Sequence, residues 1–274
     1  REWAENGRKY ESPLKGLPEH SYPGARGECV LEVRNLSQRR TRLSNISFKL
    51  WRGEVLGLAG LRGSGRTELA HCLFGLSKPD SGEILLRGRV VRIESVADAI
   101  RYGIGYLTED RRRNGLLYNL DVENNIVLTI ADTLQHGPVL DVSRKRAVAE
   151  EFIRSLGIVT PSATTNVGSL SGGNQQKVLF AKWLAMKPEI MILDEPTRGV
   201  DVGAKSEIRK LIRRLAAEGI SIIMISSEIP ELLSVSDRII GLREGRVVGE
   251  IPAASASRDA VLSLIMSNSG SIRG

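Results

Sequence analysis

Residues 54–74 constrain the fold more than any other stretch of this chain. An apolar run, Glu54–Ala59, leads into Gly60-Leu61-Arg62-Gly63-Ser64-Gly65-Arg66-Thr67, and a helical pattern follows from about Arg66 to Phe74. Glycines at 60, 63 and 65 let backbone N–H groups close around anionic oxygens, and a helix N-terminus adds its positive dipole. The string fits the phosphate-binding loop pattern, with Arg66 where that pattern has lysine. Its setting, strand before and helix after, is the one the motif requires. Thr67 offers a hydroxyl to Mg²⁺. Taken alone, the same string also fits a tight strand-to-helix turn that binds nothing.

The final third repeats the strand-then-helix rhythm, with Ile190–Leu193, then Lys205–Ala217, then Ile220–Ile225. Uninterrupted apolar strands separated by helices predict a parallel sheet covered on both faces. Leu31–Val33, Ile46–Leu50 and Glu83–Leu86 also read as strands, the last one antiparallel to its neighbours. Residues 115–170, and Arg144–Leu156 above all, alternate charged and apolar positions at helical spacing and read as a helical insertion. The fold class is α/β.

Composition excludes more than it proposes. The 39 basic and 32 acidic residues leave a net charge of +7, which suits an anionic partner but more simply describes a basic surface. Two cysteines, Cys29 and Cys72, cannot make a disulfide framework or a four-ligand zinc site. His20, His71 and His136 have no ligand spacing. No apolar run approaches the ~18 residues of a membrane helix. Residues 1–27, with four of the early glycines and prolines in Pro18–Gly27, read as a linker or inter-domain tether.

A second chemical feature is the run Ile190-Met191-Ile192-Leu193-Asp194-Glu195, an apolar strand ending in two carboxylates. Beside a phosphate loop, such a strand end places Asp194 near Mg²⁺ and lets Glu195 polarise an attacking water. Without the loop, it reads as a solvated acidic turn before Pro196. Between the two motifs lies Leu170-Ser171-Gly172-Gly173-Asn174-Gln175-Gln176, a serine and two small glycines opening a helix. That is a second anion-binding helix end, or simply a capped helix.

Taken together, the three motifs resemble the ATP-binding cassette (ABC) ATPases over about residues 29–250. The resemblance implies a P-loop NTPase fold: a RecA-like parallel sheet, an antiparallel β-subdomain and a helical insertion. It implies a nucleotide-binding domain over 28–250, with the helical part at about 115–172, and a C-terminal helix and tail over 251–274. ATP and Mg²⁺ are the implied cofactors. Gly60, Gly63, Ser64, Gly65, Arg66 and Thr67 would hold nucleotide, and Thr67, Asp194 and Glu109 would face the metal. Glu195, Ser227 and Glu109 would serve hydrolysis. Ser171, Gly172 and Gly173 would close over the nucleotide of a second cassette, and Asp201, in a Gly199-Val200-Asp201 string resembling the D-loop, would touch that partner.

The finer wording narrows the resemblance. Gly65–Leu69 (GRTEL), Glu109–Arg111 (EDR), Leu170–Val178 (LSGGNQQKV) and Asp194–Gly203 (DEPTRGVDVG) look like the second, C-terminal cassette of tandem bacterial importers of ribose, galactose, xylose and related compounds. This implies membrane permease subunits as partners, a periplasmic solute-binding protein indirectly, and a place on the cytoplasmic face of the inner membrane. The missing initiator Met fits a chain cut from a longer one.

Three positions depart from a hydrolysing cassette. Arg66 replaces lysine, and a planar fork is not equivalent to an ammonium. Glu109 stands for the Q-loop glutamine, and Ser227 for the switch histidine. In addition, Gln38–Arg42 has no aromatic to stack on adenine, which leaves an arginine to do so. Losing one preorganised contact typically costs about 10²–10³ in rate, so the expectation is a cassette that binds Mg·ATP and turns it over slowly. Arg111-Arg112-Arg113 reads as solvated surface. Two other functions stay open: a soluble ABC ATPase acting on nucleic acid or ribosomes, and a regulatory cassette that does not hydrolyse. Against nucleic acid, no long heptad segment and no aromatic-interleaved basic stretch occurs. The transported solute is not legible, because a permease and a binding protein would select it.

Overall fold

The computed structural model describes residues 27–136 and 139–266. The tether read over 1–27, save Gly27, and the tail beyond 266 lie outside the described residues. Within them the chain divides into two compact units. The larger holds the described parts of 20–109, 188–198 and 206–274, and the smaller holds 110–187 and 199–205.

In the larger unit, β1 (Cys29–Gln38), β2 (Leu43–Trp51), β4 (Ser81–Leu86) and β5 (Arg89–Val91) form an antiparallel sheet in the order β2-β1-β4-β5. Leu31–Val33, read as a strand from the sequence, covers only three residues of β1. Its outer residues, such as the exposed Arg34, alternate with buried Val33 and Leu31, as a strand with one wet face does. The second sheet contains β3 (Val55–Ala59), β6 (Ile104–Leu107), β9 (Ile190–Asp194), β10 (Ser221–Ile225), β11 (Arg238–Arg243) and β12 (Arg246–Pro252). Its order is β12-β11-β3-β10-β9-β6, parallel throughout except for the β11–β12 hairpin. Every residue of β3, β6, β9 and β10 is buried. This is the parallel sheet expected from uninterrupted apolar runs.

Among the described residues, four α-helices belong wholly to this unit: α1 (Arg66–Leu73), α2 (Val96–Arg101), α7 (Ile229–Val235) and α8 (Arg258–Met266). The phosphate loop sits between β3 and α1, and Glu195 follows the C-terminal end of β9. Both are therefore loops at the carboxyl ends of parallel strands, where open α/β sheets bind ligands.

One ion cluster ties the strand ends together. Arg238 donates from Nε to Glu54 (2.9 Å), donates to the Lys49 carbonyl (2.7 Å), and pairs with Glu250. Glu54 is 7% exposed and also accepts from the Trp51 N–H at 2.9 Å. Removing one partner of a mostly buried pair strands the other. Glu54→Ala is expected to destabilise the chain by about 2 kcal/mol, less than a fully buried pair because Glu250 and the Lys49 carbonyl remain. That corresponds to a fall of roughly 4–8 °C in Tm, read by thermal melting. A shift under one degree would show the cluster to be solvent-screened.

The smaller unit carries α3 (Val122–Val127), a 3-10 segment (Leu128–Leu134), a two-stranded hairpin of β7 (Gln135–His136) and β8 (Val139–Leu140), α4 (Val142–Ser155) and α5 (Gly172–Leu184). Its helix starts are capped by side chains, as their sequences allow. Asp121 accepts from the Asn124 N–H, and Asp141 from the Arg144 N–H. Asn125 is fully buried and bonds both backbone groups of Leu117 as well as the Asp121 carbonyl. Lys182 is also buried. Its Nζ donates to the Gly115 carbonyl at 2.5 Å, and burial pushes its pKa down to about 8. A last helix, α6 (Val202–Ala217), starts in the smaller unit and runs on into residues of the larger one. Among the described residues, no helix is long and apolar enough to cross a membrane.

Candidate functional site

The phosphate loop adopts the conformation that its glycines permit. Gly63 has φ +79°, and a Cβ there would meet nothing within 4 Å, so its outer face is open. Gly65, the residue before α1, has φ +103°, and a Cβ there would lie 2.8 Å from Leu43 Cδ2. At Gly60 a Cβ would come within 2.3 Å of Ser64 Oγ and 2.6 Å of the Leu242 carbonyl. Ser64 itself is buried, and its Oγ has no partner. The result is a cradle that side chains would fill, at the N-terminus of a helix whose first residues are Arg66 and Thr67.

Asp194 and Glu195 stand beside this cradle. Asp194 is fully buried, Tyr106 Oη donates to its Oδ2 at 3.1 Å, and Oδ1 has no partner. Burial raises its pKa, while the nearby Thr67 and Tyr106 hydroxyls and the Arg66 charge favour its ionised form. A buried, half-satisfied carboxylate beside a threonine hydroxyl suits a hard cation that takes its other ligands from phosphate and water. The donor set therefore fits Mg²⁺ with nucleotide. Glu195 follows with φ +50°, its N–H bonded to the Ile225 carbonyl at 2.9 Å. Its Oε2 accepts from Ser227 Oγ at 3.1 Å. Burial raises its pKa too, against the opposing effects of Ser227 and Arg66.

Arg66 and Ser227 meet the same short loop. Arg66 Nη1 donates to the Ser226 carbonyl at 2.7 Å, and burial lowers the guanidinium pKa despite Glu195 and Asp194. Ser226 Oγ in turn donates to Glu231 at 2.6 Å. Glu109 is exposed and forms an ion pair with Arg198, whose N–H bonds the Glu195 carbonyl at 3.0 Å. The structure thus brings Gly60–Thr67, Asp194, Glu195 and Ser227 together, and pairs Glu109 with a residue the sequence did not single out. Of the arginines in Gln38–Arg42, one of which would stack on adenine, Arg39 and Arg40 line a cavity of about 430 Å³ with Gln38, Leu76, Ser77, Lys78 and Asp80.

In the smaller unit, Ser171 caps α5 by accepting from the Asn174 N–H at 3.4 Å. A Cβ on Gly173 would strike Ala204 Cβ at 2.7 Å, and one on Gly172 would lie 2.9 Å from Arg111 Nη2 and 3.0 Å from the Gly199 carbonyl. Asp201 caps α6, accepting from the Ala204 N–H at 2.9 Å. The basic run departs from the solvated surface expected of it at Arg111 alone. Arg112 and Arg113 are exposed, but Arg111 is half-buried and donates to the Gly199 carbonyl at 3.2 Å, bracing the loop before Asp201. Tyr106 and Arg111 were both missed. The signal for Tyr106 was available, since a tyrosine within a four-residue buried strand must find a partner for its hydroxyl.

A parallel sheet with a glycine cradle at one strand end and two carboxylates at another defines a P-loop nucleotide-binding domain. Comparison with known proteins makes this specific: the profile of the ABC transporter family matches residues 43–198, more than half of the chain, and the chain belongs to that family. A Burkholderia lata protein named for ribose/galactose/methyl galactoside import ATP-binding is 50% identical over 238 residues, which is 86% of this chain and 46% of that protein. The xylose import ATP-binding protein XylG of Thermoanaerobacter pseudethanolicus is 46% identical over 243 residues, 86% of this chain and 48% of that protein. The chain thus spans about half the length of the curated relatives it matches. Among solved structures, a nucleotide-free ATP-binding cassette from an ABC transporter superposes with TM-score 0.72 at 20% identity, covering 88% of this chain and 100% of that one. At that identity the likeness establishes the fold.

Proposed function

We propose that this chain is an ATP-binding cassette that energises import of a sugar or a related small solute, as the C-terminal half of a tandem ATPase. The observation that carries the reading is the juxtaposition of the open glycine cradle with Asp194 and Glu195, one carboxylate half-satisfied and the other held by Ser227. The names of the sugar-import relatives support the choice of cargo. In this reading residues 28–250 form the nucleotide-binding domain, with its helical part at about 115–172. Mg²⁺, once bound, neutralises phosphate charge and orients the reacting phosphoryl group. Gly60, Gly63, Ser64 and Gly65 present backbone N–H groups to the phosphates, Arg66 supplies charge, and Thr67 and Asp194 face the cation. Glu195 takes the proton of the attacking water, and Ser227 fixes the carboxylate that does so.

The other proposed roles depend on partners. Ser171, Gly172 and Gly173 complete the nucleotide site of a second cassette, with Asp201 at that contact. Glu109 relays the nucleotide state to permease subunits at the cytoplasmic face of the inner membrane, and a periplasmic solute-binding protein delivers the cargo. Nucleic acid has no part in this reading.

Arg66 and Ser227 make this half a slow hydrolase. Turnover of the purified chain, measured over a wide protein concentration range, is expected to be low. Arg66→Lys combined with Ser227→His is expected to raise it about tenfold or more, a part of what one preorganised contact supplies. A rate rising faster than linearly with concentration means that copies pair into working sites. No gain in the double variant means that these two residues do not limit turnover, and ATP binding without any hydrolysis would mark a regulatory cassette.

A further inference from the structure

Tyr106 is not among the residues given a part above, yet its hydroxyl is on the carboxylate proposed to face the metal. It lies on β6, paired in parallel register with Ile192 of β9, two residues before Asp194. Tyr106 is 5% exposed and Asp194 fully buried, and Tyr106 Oη donates to Oδ2 at 3.1 Å, while the Thr67 hydroxyl also favours the ionised carboxylate. The other oxygen, Oδ1, has no partner. The phenol ring is fixed from the phosphate-loop helix. His71 meets it edge-on, with centroids 5.9 Å apart and an interplanar angle of 88°, and Phe74 lies 5.2 Å away at 42°.

A carboxylate rotates readily about its last torsion, whose wells are broad and twofold. A donor held rigidly against one oxygen removes that freedom. We infer that Tyr106 is a positioning residue: its hydroxyl holds Oδ2 of Asp194, so that Oδ1 is the oxygen presented to Mg²⁺ when nucleotide is bound. The inference rests on the reading of Asp194 as the metal-facing carboxylate. Partners that orient a metal-facing group typically govern about 10–100-fold in metal affinity. Here the effect is expected to fall on the metal and to leave the metal-independent part of nucleotide binding alone, because Tyr106 bonds Asp194 and packs on His71 and Phe74 rather than on the cradle glycines.

The test is binding of a fluorescent ATP analogue to the full chain, in EDTA and across a Mg²⁺ series, for wild type, Tyr106→Phe and Asp194→Asn. Tyr106→Phe removes one oxygen and keeps the ring packing. Its affinity in EDTA is expected to stay within about twofold of wild type, while the Mg²⁺ concentration for half-maximal tightening rises about tenfold. The ratio of affinities with and without Mg²⁺ is internal to each protein, so a partly unfolded sample does not mimic the effect. An unchanged Mg²⁺ midpoint, or an equal loss in EDTA, overturns the role of Tyr106. Asp194→Asn tests the underlying reading separately. If it keeps the wild-type Mg²⁺ dependence, Asp194 does not face the metal and both claims fail; if it flattens that dependence while Tyr106→Phe does nothing, only the Tyr106 inference fails.

Discussion

Glu195→Gln is expected to lower ATP hydrolysis by about 10²–10⁴-fold, the range for a positioned general base, while ATP affinity changes only a few-fold. The substitution is nearly isosteric. The backbone at φ +50° and the bond from the Glu195 N–H to Ile225 are untouched, and a glutamine oxygen can still accept from Ser227. What disappears is the capacity to take a proton. The pH dependence follows from the same environment. Burial, outweighing Ser227 and Arg66, raises the Glu195 pKa above the ordinary carboxylate value. A base works only when deprotonated, so activity is present above this raised pKa and is lost as pH falls through it. The acid limb of the pH–rate profile is therefore expected above the ~4.3 of an unperturbed glutamate. Because the reading proposed above gives this cassette low turnover, single-turnover hydrolysis at high protein concentration is the assay of choice. An acid limb that survives in Glu195→Gln would assign the proton to another group.

The elements legible in the sequence are those that repeat a local pattern. Ile190–Leu193 and Ile220–Ile225 announce themselves because a strand covered on both faces has no polar position to alternate with. The helix after Gly65 is legible because the glycine string before it fits a strand-loop-helix pattern. What was not legible depends on pairings across long stretches of chain. Tyr106 and Asp194 are 88 residues apart, as are Arg111 and Gly199, and no periodicity links them. Arg111 looks like its two exposed neighbours until a π-type turn over Arg111–Gly115, closed by the Leu116 N–H on the Arg111 carbonyl, turns it away from them. Glu109 shows the same limit. As a letter it is a glutamine replaced by an acid, yet in the fold its charge is met by Arg198. The departures at Arg66 and Ser227 look independent in sequence, but both side chains act on the loop at 226–227 and on Glu195.

The second large effect is expected at Gly65, where Gly65→Ala should weaken ATP binding by about 10²–10³-fold, or roughly 3–4 kcal/mol. Two costs add there. The residue has φ +103°, a conformation that costs a non-glycine residue about 1–3 kcal/mol. The new Cβ would also press on Leu43 Cδ2 at 2.8 Å and on the Gly245 backbone at 3.2 Å. Gly245 cannot retreat, since its own Cβ position is already 2.0 Å from the Arg42 carbonyl and its N–H bonds Ser64 at 2.9 Å. The loop must then move, and with it the N–H groups of Arg66 and Thr67 that open α1. Gly63→Ala separates the two costs. It has φ +79° but open space around the added methyl, so it bears the backbone strain without the collision. It is expected to bind more tightly than Gly65→Ala by at least tenfold. Titration with a fluorescent ATP analogue, beside thermal melts of both variants, reads the difference. Equal losses would mean that backbone conformation alone sets the cradle; a much smaller loss at Gly63 would mean that the packing of Leu43 and Gly245 beneath the loop holds its N–H groups on the phosphates.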